Sequence, residues 1–110
     1  PVVINDNHVP NSYIYNYKID ILPNTNKLIL GKKITLTSVV FDNEVQVNNK
    51  HFVWSITPNG LASIEYNDNT CMVTAINLQS AVNKTFTIKV ALSDNPSVYT
   101  ERTFKITNLV

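Results

Sequence analysis

The sequence predicts an all-β sandwich of about seven antiparallel strands in two sheets, and three observations predict it. Short segments alternate apolar and polar side chains with a period of two, the mark of a strand with one face buried. Clusters of Asn, Asp, Ser and Pro separate these segments at intervals of about 8–12 residues, the spacing of a sandwich or barrel. No window carries a helical period of useful length. The chain has 110 residues, and a two-sheet sandwich needs about 100, so there is room for one core and no second domain.

Residues 1–12 read as an extended lead-in or linker, with Pro1, Pro10 and the run Asn5-Asp6-Asn7, and with a short strand at Val2–Ile4. The domain proper is expected over 13–110. Tyr13, Tyr15, Tyr17, Ile19 and Ile21 alternate with Asn16, Lys18 and Asp20, which predicts one long first strand. Pro23-Asn24-Thr25-Asn26 breaks it, and Lys27–Leu30 is a short strand ending at Gly31. Ile34, Leu36, Ser38 and Val40 share one face of the next strand. Asp42-Asn43-Glu44 reads as a turn before a short edge piece at Val45–Val47. Phe52, Trp54 and Ile56 share a face, and Pro58-Asn59-Gly60 stops their strand. Leu61–Tyr66 follows, then the tight cluster Asn67-Asp68-Asn69, then a strand with Cys71, Val73 and Ala75 on one face. Asn77–Asn83 is a loop. Phe86, Ile88, Val90 and Leu92 mark a further strand, Ser93-Asp94-Asn95-Pro96 turns the chain, and Phe104 and Ile106 lie in the last strand. Common parity places Ile34, Leu36, Trp54, Ile56, Val73, Phe86, Ile88, Val90 and Phe104 inside.

Composition excludes several classes. Hydrophobic residues make up 44% of the chain, enough to fill a core. The formal net charge is +1, and Lys32-Lys33 is the only adjacent basic pair, so no basic stripe invites nucleic acid. No apolar run approaches the length of a membrane span. The chain begins Pro1-Val2-Val3-Ile4, without an initiator Met and without the features of a signal peptide, as expected of a piece of a longer protein. Cys71 is the single cysteine, so packing must hold the sandwich without an internal disulfide. Sixteen Asn stand against two Gly, and Asn is expected to take the left-handed turn positions that Gly usually fills.

Five segments in order carry a family resemblance. They are Leu30-Gly31-Lys32-Lys33-Ile34-Thr35-Leu36-Thr37, Val53-Trp54-Ser55-Ile56, Ala62-Ser63-Ile64, Val73-Thr74-Ala75-Ile76 and Thr85-Phe86-Thr87-Ile88-Lys89-Val90. In order and spacing, from about residue 17 to residue 107, the chain resembles the bacterial Ig-like domain family of the group 2 type. The resemblance implies an immunoglobulin-like β-sandwich. It also implies a module of bacterial surface adhesins, cell-wall enzymes or tailed-phage structural proteins, with no catalytic residues to carry over. The loop Asn77–Asn83 is longer than the family's and lacks its Gly, and the Tyr-rich start has no counterpart in the family pattern. The wealth of Asn, Lys and Ile fits an AT-rich bacterial or phage genome.

Candidate chemistry is sparse. His8 and His51 belong to no nucleophile–base signature, and no Gly-x-Ser-x-Gly is present, so no enzyme activity is expected. Asp42, Glu44, Asp68 and Asp94 lie in turns. They suit either a calcium ion between loops or plain solvation, and solvation is the default for turn acids; no cofactor or metal is expected. Cys71 is expected to be a small buried core residue, and Trp54 to fill the space between the sheets.

The Tyr13, Tyr15 and Tyr17 stripe is the candidate interface or ligand site, its phenols about 6.5–7 Å apart along a strand. Tyr pairs a large apolar face with a polar tip. The stripe therefore suits packing on the domain's own surface, a neighbouring protein subunit, or a sugar ring.

The function expected is a non-enzymatic accessory module of a larger phage virion or bacterial cell-surface protein. It would serve assembly, spacing or weak surface attachment outside the cell. The expected partners are other subunits or domains of the parent protein and cell-envelope polysaccharide, with no nucleic acid and no membrane insertion. The alternative is a carbohydrate-binding module attached to an enzyme.

Overall fold

The computed structural model describes residues 13–108; the expected lead-in at 1–12, its strand at Val2–Ile4 and His8 lie outside the described residues. Period-two patterning becomes nine strands: β1 (Tyr17–Leu22), β2 (Lys27–Ile29), β3 (Lys33–Asp42), β4 (Val45–Val47), β5 (Phe52–Thr57), β6 (Ala62–Asn67), β7 (Thr70–Ala75), β8 (Thr85–Leu92) and β9 (Asn95–Thr107). One sheet has the order β1-β3-β7-β6, with β4 pairing the far end of β3; the other has the order β2-β9-β8-β5. All pairings are antiparallel except β2 with β9, which run parallel. If β1 is strand A, β3, β7 and β6 fall where strands B, E and D lie, and β9, β8 and β5 where G, F and C lie. That is the strand order of an immunoglobulin-like sandwich.

The inner faces supply one core. Leu36, Cys71, Val73, Ile88, Val90, Leu92, Phe104 and Ile106 are fully buried, and the rings of Phe86 and Phe104 stack at 5.5 Å. Trp54 is 3% exposed, and its indole Nε1 donates to the Asp68 carbonyl at 2.8 Å. That bond offsets the cost of taking the indole N–H out of water. Ile34 and Ile56 have the expected parity but are half-buried; both lie at the strand ends nearest the Pro58–Leu61 turn. Ser38 is the buried polar residue among those described, and its backbone N–H donates to Asn69 at 2.8 Å.

Two expectations need correction, and one loop gains detail. The first strand begins at Tyr17, not Tyr13. Its partner β3 ends at Asp42, paired with Tyr17, and then turns away, so residues 13–16 have no ladder to join. The last strand is longer than expected: it takes up Asn95 and Pro96 and runs thirteen residues, since a register shift at Ala91/Leu92 lets β9 pair with β8 from its first residue. The loop Asn77–Asn83 holds a single 3-10 turn, Gln79–Ala81, which puts Ala81 into the core.

Turn chemistry follows the sequence in part. Asn43 and Asn83 take positive φ, as expected of Asn, but so do Glu44 (72°) and Asp68 (54°). Two consecutive positive-φ residues, Asn43 and Glu44, make the tight two-residue connection that suits the twist of a hairpin. Gly31 has φ +74°, a conformation that favours glycine, and a side chain there would press on the exposed Asn77 side chain at 3.1 Å.

Candidate functional site

The tyrosines lie where the chain enters the sandwich. Tyr17 stands opposite Asp42 in the ladder, and Phe52 opposite Leu92. The start of β1, the β3–β4 turn, the start of β5, the β6–β7 turn and the end of β8 therefore gather at one end. Lacking a strand partner, residues 13–16 are held instead by that β3–β4 turn. The Tyr13 hydroxyl donates to Asp42 Oδ2 at 2.9 Å, and the Asn16 backbone N–H donates to Asp42 Oδ1 at 2.9 Å. Asn43 Nδ2 donates to the Tyr13 hydroxyl and to the Ile14 carbonyl, each at 3.2 Å. The Asn43 backbone N–H donates to the Asn16 carbonyl at 3.1 Å, one ladder-like bond beyond the strand.

The three rings form a ladder of their own. Tyr13 meets Tyr15 edge to face at 4.6 Å, and Tyr15 stacks on Tyr17 at 5.5 Å with planes 14° apart. Both are favoured aromatic geometries. The Lys50 ammonium sits 4.8 Å from the centre of the Tyr17 ring and 3.2 Å from Asp94 Oδ2. Tyr17 is thereby tied through Lys50 to the β8–β9 turn, so the contact spans both sheets. Tyr13 and Tyr15 remain 42% and 53% exposed, and Ile14 78%. The result is an apolar and aromatic patch with a rim of Asn16, Asp42 and Asn43.

Two titrations reflect this arrangement. The Asn43 amide pulls the Tyr13 phenol down, but the hydrogen bond to Asp42, desolvation and the Asp42 charge together leave it above its ordinary value. The hydrogen bond to Asp94 raises the Lys50 ammonium above its ordinary value, against a smaller desolvation effect.

The remaining candidates do not assemble into chemistry. His51 Nδ1 lies 3.2 Å from Asp68 Oδ1, and the same oxygen accepts the Phe52 backbone N–H at 3.2 Å. Asp42 serves Tyr13 and Asn16, Asp68 serves His51 and Phe52, and Asp94 serves Lys50. Each of these three aspartates is thus engaged by different protein donors, while Glu44 takes a positive-φ position in the β3–β4 turn. Among the described residues no group of three or more His, Cys, Asp or Glu side chains gathers to hold a metal ion. Cys71 is fully buried, and burial pushes its thiol up to about 11. A cleft of about 260 Å³ at the same end is lined by Ser38, Val47, Lys50, Phe52, Asp68 and Asn69, among others.

Sequence reasoning found the tyrosines but missed their anchors. Asp42 and Asn43 read only as turn residues, and Lys50 as part of a loop. An alternating aromatic run whose first half overshoots any plausible partner was the signal that something other than a strand must hold it. Arg102, the only arginine of the chain, was also missed. Its guanidinium bonds three backbone carbonyls between Ile21 and Thr25.

The fold defines the class: an immunoglobulin-like domain. No family model matches the chain, and no curated protein matches it. Among solved structures it is similar to a chain of the titin M10–obscurin-like 1 Ig complex, at 11% identity and TM-score 0.46, over 86% of this chain and 96% of that one. It is also similar to the BIgI domain of the beta protein from S. agalactiae, solved bound to CEACAM1, at 15% identity and TM-score 0.42, over 84% and 96%.

Proposed function

We propose that this chain is a non-enzymatic Ig-like accessory module of a larger phage virion or bacterial cell-surface protein. It works outside the cell, where it joins or spaces neighbouring domains or subunits through protein–protein contact. The observation that carries this reading is the tyrosine ladder fixed to Asp42 and Asn43 where the chain enters the fold. Rings held in place before a partner arrives lose little freedom on binding, and exposed Tyr is favoured at protein interfaces. The resemblance to bacterial Ig-like domains supports the setting.

The carbohydrate-binding alternative asks for aromatic faces open to a sugar ring. Here the Tyr15 and Tyr17 faces are turned to each other, and Lys50 lies over Tyr17. That favours a protein partner over a polysaccharide.

The test is the double variant Tyr13→Ser/Tyr15→Ser in the parent protein. The domain is expected to stay folded while its incorporation into the parent assembly falls. Unfolding of the isolated domain with assembly intact would overturn the reading. Retardation of the wild-type domain, but not the variant, in gels containing cell-envelope polysaccharide would favour the alternative. Antibody against the domain is expected to decorate intact virions or cells; a signal confined to lysed cells would refute the extracellular setting.

A further inference from the structure

We infer that Asn59 is a site of spontaneous covalent modification, converting to aspartate and isoaspartate through a cyclic imide with Gly60. This inference is independent of the proposed function. The chain has two glycines, and only Gly60 follows an asparagine. The pair lies in the turn between β5 and β6, and both residues are exposed. Gly60 has φ +102°, and nothing lies within 4 Å of where a side chain on it would be. Neither the Asn59 side-chain amide nor the Gly60 N–H makes a hydrogen bond to any described residue. The nucleophile, the electrophile and the space for their approach are therefore all free at one place.

Other asparagines differ in one or more of these respects. Asn43 donates its amide to Tyr13 and Ile14 and precedes Glu44. The Asn83 backbone N–H is bonded to Ile106, and the next residue, Lys84, donates its N–H to Ala81 and carries a side chain that crowds its nitrogen. Asn95 precedes Pro96, which has no N–H to lose.

The chemistry closes without a cofactor. The Gly60 nitrogen, giving its proton to water or hydroxide, attacks Asn59 Cγ and forms the ring C–N bond. The Asn59 side-chain nitrogen takes up a proton and leaves as ammonia. Water then adds to one of the two imide carbonyls and breaks one C–N bond. Opening on one side yields aspartate with the original backbone; opening on the other yields isoaspartate, with one extra carbon in the main chain. Either product adds one negative charge and cancels the formal net charge of +1.

Position gives the change a consequence. The turn carries the chain from one sheet to the other, and the next residue, Leu61, is half-buried with its carbonyl accepting Ile76 N–H at 2.9 Å. It lies at the end of the sandwich opposite the tyrosine ladder. A module stored or assembled for a long time thus acquires charge at one end and not at the other.

The experiment incubates the folded domain in mildly alkaline buffer and follows it by peptide mass spectrometry and by isoaspartyl methyltransferase labelling. A gain of one mass unit is expected in the peptide spanning Thr57–Leu61, ahead of every other Asn peptide. Gly60→Ala is expected to slow it about tenfold, because a Cβ hinders the nitrogen that glycine leaves open. Asn59→Gln is expected to abolish the gain in that peptide. Circular dichroism of each variant separates slowing from misfolding, and the unfolded wild type gives the rate without the fold. A mass gain spread evenly over the other asparagines, or none at Asn59 while the unfolded chain reacts there, would overturn the inference.

Discussion

Arg102 Nη2 on β9 donates to the Ile21 carbonyl on β1 at 2.8 Å, joining the two sheets where the first strand of one crosses to the other. Its Nη1 bonds the Pro23 carbonyl at 2.6 Å and the Thr25 carbonyl at 3.4 Å. Ile21 still pairs with β3, opposite Ser38, while Pro23 and Thr25 lie between β1 and β2 in neither ladder. The Pro23 carbonyl also accepts the Thr25 N–H at 3.0 Å. One planar fork gathers three carbonyls where the chain leaves one sheet for the other.

Arg102→Ala is therefore expected to cost about 1.5–3 kcal/mol, the range for hydrogen bonds to a charged group. Arg102→Lys should recover only part, since an ammonium cannot reproduce the fork. Urea unfolding measures both; equal stability of Lys and Arg at this position would refute the bidentate reading.

Trp54→Ala should cost about 3–5 kcal/mol, enough to unfold a marginal domain of this size. Trp54→Phe keeps most of the apolar contact but leaves the Asp68 carbonyl without its donor, for about 1 kcal/mol of hydrogen bond. The pair of variants, compared by denaturant midpoints, separates packing from the bond.

Cys71 should resist thiol reagents in the native state. The thiolate is the reactive form, and burial raises its formation from 9.0 to about 11. Labelling with a chromogenic disulfide is expected to follow global unfolding, at a rate that rises with urea. Fast labelling of the folded domain would show that β7 opens locally.

The Tyr13 tether has a pH limit. Its phenol is raised in the folded chain above 10.0, so the folded state holds this proton more tightly than the unfolded state. The stabilising contribution is complete below 10.0 and is lost as pH rises through the higher folded value. Ultraviolet titration of wild type against Tyr13→Phe should show one phenol ionising late. Absence of that late step would mean Asp42 does not hold Tyr13 in solution.

Much of the sandwich was legible because burial on one face imposes parity. Leu36, Trp54, Val73, Phe86, Ile88, Val90 and Phe104 were all placed correctly from alternation alone. What alternation does not encode is where a partner strand stops. Tyr13 and Tyr15 continue the pattern of Ile19 and Ile21, yet β3 turns at Asp42 and the pattern runs on without a sheet. Long-range polar contacts were equally hidden. Arg102 and Pro23 are 79 residues apart, and nothing local in either predicts the other. The tyrosine site was visible as residues and invisible as geometry.

The parallel pairing of β2 with β9 also bears on how the chain is made. Lys27–Ile29 pairs with Lys105–Thr107, so the ribosome delivers the first of these segments long before its mate. Until β9 emerges, β2 has no ladder partner and the Ile21, Pro23 and Thr25 carbonyls lack the Arg102 guanidinium, whatever the middle strands have already formed. Completion thus waits for β9, and the closing contact has one of the longest chain separations in the fold, the kind that slows folding. A nascent domain stalled before residue 102 holds an open seam at that edge, and chaperone protection in that interval matters more than for the finished module.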